Sequence, residues 1–481
     1  MVETTMRGGK SFLILLGVAA ALGGYIYFVE MKRDPSDAPD KKDKIFTIES
    51  GKLEELEIKA ASGETTSLKK QGDNWQVVAP AGIDVDPSEV TSVVSTLESL
   101  EMQRSLEDNP KSVAEFGLEP ARFSVGFRTA GDPAMKRLLV GKKTPTGGDI
   151  YARVEGQPKL FLISAYLEDS LNKTPFNLRD KTVLKIDRVG VDMMALEAKD
   201  SPALSFQRKD SEWRFTKPVD ARADFSAVDN IVGKVAQAKM KALEPPPAGK
   251  ELTPEELKKY GLDKPQATAT LGVGSTRATL ALGNKKDDTS IYARDVSRPL
   301  VFTVEASLLE DFKHKSADLR KKDVFEFRSF TAVGLDLSLG KDSATFAKVK
   351  EEPEKPKDEK GKDKDKDKAK APEPPPAPVE KWKLTKPTAK DVDQSKVMDL
   401  LTTISNLRAD TFADKAAAGG EELVVVARFG DAAKPQTERV IFRKSGGTVH
   451  AIVAGEPGAA VVSTADFDKA VSLFKELAGA K

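Results

Sequence analysis

Residues 75–100 read WQVVAPAGIDVDPSEVTSVVSTLESL, and the chain writes the same pattern twice more. From Trp213 it reads WRFTKPVDARADFSAVDNIVGKVAQA, and from Trp382 WKLTKPTAKDVDQSKVMDLLTTISNL. Trp75, Trp213 and Trp382 lie 138 and 169 residues apart, and Pro80, Pro218 and Pro387 keep those separations, as do Asp86, Asp224 and Asp393. The apolar set Val90, Val93, Val94, Leu97, Leu100 recurs as Val228, Ile231, Val232, Val235, Ala238 and as Val397, Leu400, Leu401, Ile404, Leu407. Agreement without gaps in three places marks an internal repeat, which has to be recognised before any other reading of the fold.

The repeated segment states its own local structure. Apolar residues at offsets 0, 3, 4, 7 and 10 fall on one stripe of an α-helix. An aspartate stands just before each stripe, where a carboxylate can accept from the free N–H groups of the first turn. In the first copy Pro87 and Glu89 follow it, a strong helix start. Upstream of the first two tryptophans, alternating stretches such as LEIKAASGETTSL and LEAKDSPALSF precede a short polar turn. Each copy is therefore expected to open with a β-hairpin whose second strand carries the tryptophan, followed by a helix. The tryptophans are expected to pack that helix onto the sheet.

Similarity extends beyond this segment. Ile45, Phe46 and Ile48 match Val183, Leu184 and Ile186. EFGLEP at Glu115 parallels KYGLDKP at Lys259, and DIYARVEGQPKLFLIS parallels SIYARDVSRPLVFTV with Tyr151 and Tyr292 in register. Two copies end in AYLEDSLNKTPFNLRD and ASLLEDFKHKSADLRK, and the third in ADFDKAVSLFKELAG. Strands joined by short glycine-containing turns favour antiparallel pairing. The expected fold class is α+β: one N-terminal transmembrane helix, then three tandem repeats, each a mainly antiparallel sheet packed with two helices. The boundaries read as 45–182, 183–323 and 324–481. The third copy carries a surplus at 348–380, KVKEEPEKPKDEKGKDKDKDKAKAPEPPPAPVE, with almost nothing apolar to offset the entropy of ordering. It is expected to be a disordered insertion at the hairpin turn before Trp382, where a long loop costs least.

Ahead of the repeats, a tail at 1–11 leads into Phe12–Val29, FLILLGVAAALGGYIYFV, which is uncharged and apolar. Eighteen helical residues span roughly 27 Å, enough for a hydrocarbon core. The run continues past the small residues Ala19 and Ala21, and Tyr25, Tyr27 and Phe28 stand where interfacial aromatics belong. The expectation is an uncleaved signal anchor at 12–29 followed by a polar linker at 30–44, with a cleaved signal peptide as the alternative.

Composition limits the chemistry. The chain of 481 residues holds 76 Lys and Arg against 75 Asp and Glu, so no global charge calls for nucleic acid. It has no cysteine, which excludes disulfides and thiolate chemistry. Its histidines are His314 and His450. GKKTPTGGD at Gly141 places its lysines before the glycines, unlike a phosphate loop. GVGSTR at Gly272 reads as a turn, and DKDKDK at Asp363 lacks the glycine and distal glutamate of a calcium loop. The acids that recur three times are already used as helix caps. Arg153 and Arg294 share a position at which the third copy has Ile452. No catalytic, cofactor-binding or metal-binding residue is nominated.

The tryptophan–proline–aspartate helix motif, the YGL-type turns and the N-terminal apolar run together resemble a bacterial family catalogued as domain of unknown function 4340. The resemblance covers residues 45–481 and its motifs are structural. It implies a membrane-anchored repeat protein of the bacterial envelope, of a kind often encoded beside ABC-transporter components of the gliding-motility type. The expected role is a non-enzymatic scaffold or binding accessory subunit, held in the inner membrane by residues 12–29 with its bulk on the periplasmic side. Its expected partners are a transporter permease and associated envelope subunits, with no cofactor and no nucleic acid. The alternatives are a stand-alone carbohydrate- or peptide-binding protein using the three tryptophans as platforms and, with less support, a hydrolase.

Overall fold

The computed structural model describes residues 43–49, 51–244, 252–351 and 379–479, together with Gly17. The expected anchor at 12–29 (Gly17 apart) and nearly all of the linker at 30–44 lie outside these residues. Among the described residues no helix is long and apolar enough to cross a membrane. The chain divides into two compact units, with the break between Lys181 and Thr182.

Three antiparallel sheets follow one another along the chain. The first contains β1 (Leu53–Lys59), β2 (Thr65–Gln71), β3 (Asn74–Ala79), β4 (Arg104–Glu107), β5 (Phe123–Thr129), β6 (Lys136–Lys143), β7 (Asp149–Val154) and β8 (Leu160–Ser164), in the order β3-β2-β1-β5-β6-β7-β8-β4. The second holds β9 (Met193–Ala198), β10 (Leu204–Lys209), β11 (Glu212–Lys217), β12 (Ala221–Arg222), β13 (Ala242–Leu243), β14 (Ala267–Val273), β15 (Thr276–Lys285), β16 (Ser290–Asp295) and β17 (Phe302–Glu305). The third holds β18 (Ala332–Leu339), β19 (Asp342–Glu351), β20 (Val379–Lys386), β21 (Lys390–Asp391), β22 (Ala409–Ala413), β23 (Glu421–Phe429), β24 (Gln436–Ser445), β25 (Thr448–Val453) and β26 (Ala459–Val462). Their orders, β12-β11-β10-β9-β14-β15-β16-β17-β13 and β21-β20-β19-β18-β23-β24-β25-β26-β22, repeat that of the first sheet with a short extra strand beyond β11 and β20.

This order explains why the repeated helix is amphipathic. In the first copy the chain leaves the sheet at edge β3 and re-enters at β4 on the opposite edge, so the helix between them must cross one face. That helix is α1 (Pro87–Glu98), and it buries Val90, Val93 and Leu97 in one cluster with Leu56, Ile58, Val125 and Val140. Full burial of such side chains is worth about 2 kcal/mol each. The capping aspartates act as the sequence demands. Asp86 accepts from the N–H of Ser88 at 2.9 Å, Asp224 from Ala227 at 2.9 Å, and Asp393 from Ser395 at 2.9 Å.

Two expectations are corrected. Each repeat opens with a three-stranded meander, not a two-stranded hairpin, because LEELEIK and its counterparts form a full inner strand paired on both sides. The closing helix is complete only in the third copy, at Thr464–Ala478, where Phe467, Ala470, Phe474 and Leu477 give it a buried stripe and Gly479 ends it at φ 71°. In the first copy only Glu168–Leu171 is α-helical, since Pro175 soon follows and disfavours helical backbone before it. In the second, the polar stretch KHKS offers nothing to bury, and the helix splits into Leu308–Phe312 and Ser316–Leu319 with Lys315 extended between them. The second copy also has a short helix, Pro254–Lys259, closed by a Thr253–Glu256 capping box.

The surplus segment falls between β19 and β20, which pair out to Glu351 and Val379. Lys348–Glu351 and Val379–Glu380, expected as part of the insertion, are strand residues in that ladder. Residues 352–378 lie outside the described residues.

Candidate functional site

The residues that recur in all three copies each have a folding task. Trp213 is 2% exposed and Trp382 4% exposed, while Trp75 is half-buried against the first core. Rings this buried pack into the core of their repeats. Tyr151 stacks on Phe116 with centroids 4.7 Å apart, and Tyr292 on Tyr260 at 4.8 Å. These contacts pin the FGL and YGL turns to the sheet. Both turns also need a glycine opposite, since a Cβ at Gly141 would lie 2.1 Å from the Phe116 carbonyl and one at Gly283 2.2 Å from that of Tyr260. The third copy has no such aromatic partner and places His450 there, 9% exposed.

The other sequence candidates separate in space. His314 lies 3.9 Å from the Asp318 carboxylate on an exposed surface. The glycines at 147–148 belong to the loop joining β6 to β7, closed by Thr144 donating to the Asp149 carbonyl at 2.9 Å. Gly274 and Ser275 form the tight turn between β14 and β15. Asp363 and its neighbours are outside the described residues. Among the described residues no group of three or more His, Asp or Glu side chains is placed to hold a metal ion.

The densest polar constellation joins the second and third repeats, and sequence reasoning missed it. It centres on Arg222 and Glu456. Glu456 sits in the turn between β25 and β26, with its side chain 11% exposed. It accepts from the backbone N–H of Arg222 at 2.9 Å and from the Arg214 guanidinium at 3.3 Å, and the Arg222 Nε lies 3.5 Å away. Arg222 reaches on to Glu326 at 2.7 Å. Glu326 is also gripped by Lys321. Burial opposes the Glu326 charge, but Lys321 and Arg222 outweigh that penalty and hold its carboxyl below the usual range. Glu438 accepts from the backbone N–H groups of Glu326 and Phe327 at 2.9 and 3.2 Å. Arg320 lies over the Phe412 ring at 3.9 Å and donates to the Pro457 carbonyl at 3.2 Å. Burial, aided by Arg222, lowers its pKa from the ordinary arginine value, against the pull of Glu456.

A cleft of about 360 Å³ opens beside this cluster, lined among others by Arg214, Glu326, Glu438, Arg439 and Glu456. Its charges are largely spent on one another or on backbone groups. Such a wall offers no unshared row of cations for an anion and no converging acids for a cation. It can fix one repeat against the next. In the second copy Arg298 occupies the place of Glu456 and donates to the carbonyls of Thr182 and Val183 within the same unit. The missed signal was a lone glutamate in the apolar, glycine-rich run VAGEPGAA.

The family model described as Domain of unknown function (DUF4340) matches residues 75–214 and 213–424. Both matches start at a tryptophan of the repeat, the first ending just past Trp213 and the second running on beyond Trp382. No curated protein and no solved structure matches the chain. With the two matches spanning most of its length and each starting at a repeated tryptophan, the chain belongs to the DUF4340 family.

Proposed function

We propose that this protein is a non-enzymatic scaffold of the bacterial envelope, tethered to the inner membrane through residues 12–29, which displays its repeats outside the cytoplasm to subunits of an ABC-type export or surface-assembly complex. The observation that carries the reading is the use made of the repeated residues. Tryptophan, capping aspartate, apolar stripe and turn glycine all serve core, cap or close backbone contact. A chain that triplicates such a unit multiplies surface without multiplying an active site, and linked modules gain avidity from weak individual contacts. The Arg222–Glu456 junction supports it further, because a scaffold needs fixed spacing between its modules. The apolar run at 12–29 motivates the tether.

The test is co-purification of the full chain from detergent-solubilised membranes. Transporter subunits recovered in constant ratio with the chain are the expected result. Recovery from the soluble fraction, or from membranes with no transporter subunit, would overturn the reading.

A further inference from the structure

The three tryptophan strands differ at their outer edge. In the second copy the Trp213 carbonyl turns outward and accepts from the N–H of Ala223 at 3.0 Å, and β12 pairs along the strand through Phe215↔Ala221. In the third copy the Gln394 side chain accepts from the Trp382 N–H at 2.8 Å and donates to its carbonyl at 2.8 Å, while β21 pairs through Leu384↔Lys390. Both edges are closed from within.

The first copy has neither closure. Trp75 faces Lys70 as Trp213 faces Arg208 and Trp382 faces Lys348, so its N–H and carbonyl also turn outward, and those of Val77 with them. Among the described residues nothing bonds to these groups. The residue in the place of Gln394 is Pro87, which has no amide side chain. Where the other copies have Asp220 and Ala389, the first has Gly82 at φ 78°, and no capping strand forms after it. β3 is thus the bare edge of the sheet. It also lacks the charge that guards the other two edges. β11 carries Glu212, Arg214 and Lys217, and β20 carries Glu380, Lys381, Lys383 and Lys386, whereas β3 reads NWQVVA with no charge. Val78 is 56% exposed.

We propose that β3 pairs antiparallel with β3 of a second copy of this chain, joining two eight-stranded sheets across a two-fold axis. One register uses both outward residues of each copy in hydrogen-bonded pairs. In it Trp75 faces Val77 of the second copy, which sets Gln76 opposite its own symmetry mate and Asn74 opposite Val78. Trp75 and Val77 lie on the core side, so two aromatic–β-branched pairs extend both cores across the junction. The absence of charge commits the edge to itself. The symmetric pairing opposes no like charges along β3, while β20 paired with its own copy would set lysines against each other.

The chain has no native cysteine, so a single Gln76→Cys substitution is a clean probe. Residues opposed in a non-hydrogen-bonded pair stand about 4.5–5.5 Å apart, within disulfide reach. In the full chain in detergent, Q76C is expected to oxidise mostly to a covalent dimer, and the exposed control Lys341→Cys to stay monomeric. Gln76 is exposed, so Q76K folds normally by circular dichroism yet loosens the dimer by about tenfold or more. Mixing Q76K with Q76E restores it. A monomeric Q76C, crosslinking to a different polypeptide, equal dimerisation of K341C, or a dimer indifferent to Q76K would each overturn the proposal.

Discussion

Glu456 and Arg222 stand 234 positions apart in the chain, yet the Glu456 carboxylate accepts the Arg222 backbone N–H at 2.9 Å. That contact makes the second and third repeats one mechanical piece. Removing the carboxylate leaves the Arg222 backbone N–H without its acceptor, while Arg222 keeps Glu326 and Arg214 keeps Asp220, and losing a hydrogen bond to a charged group costs about 1.5–3 kcal/mol. Glu456→Ala is therefore expected to lower urea stability of the second unit by about that amount and to speed hydrogen exchange at the Arg222 amide. Glu456→Gln keeps the acceptor and loses less.

The capping aspartates give a graded series. Asp86→Ala, Asp224→Ala and Asp393→Ala each remove an acceptor for N–H groups of the first helical turn. Each is expected to cost about 1 kcal/mol, and the asparagine variants a few tenths, by chemical denaturation. Equal losses at the three sites would show that the copies use the residue alike.

Acid sensitivity follows from Glu168. Its hydrogen bond with Arg122, joined by Lys143 at 3.0 Å, holds its carboxyl below the ordinary glutamate value despite burial. A carboxyl depressed in the folded state contributes stability above its unfolded pKa and loses it as pH falls through the folded one. Stability of the first unit is thus expected to decline below the ordinary carboxylate range. Glu168→Gln should be less stable at pH 7 and show a flatter acid limb in urea titrations between neutral pH and pH 3.

What the sequence revealed follows from the range of the forces involved. Helix period and cap are local and recur in three copies, and the turn glycine recurs in two. The strand pattern is legible too, but LEIKAASGETTSL reads as one arm of a hairpin because alternation does not reveal a turn at Ala61–Gly63. The broken closing helices depend on whether a face finds something to bury, which the polar KHKS stretch does not announce. Glu456 and Arg222 lie far apart in sequence and belong to no period. The bare edge at β3 is visible in Gly82 and Pro87 only once the topology shows that the other copies close theirs.

The central claim is that the triplicated residues serve folding. It is tested most directly by equilibrium unfolding of the full chain bearing Trp213→Ala. With Trp213 2% exposed, truncation is expected to cost about 3–5 kcal/mol, with a smaller loss for Trp75→Ala at the half-buried position. A Trp213→Ala protein as stable as the parent, yet unable to retain a partner or ligand that the parent holds, would contradict the account.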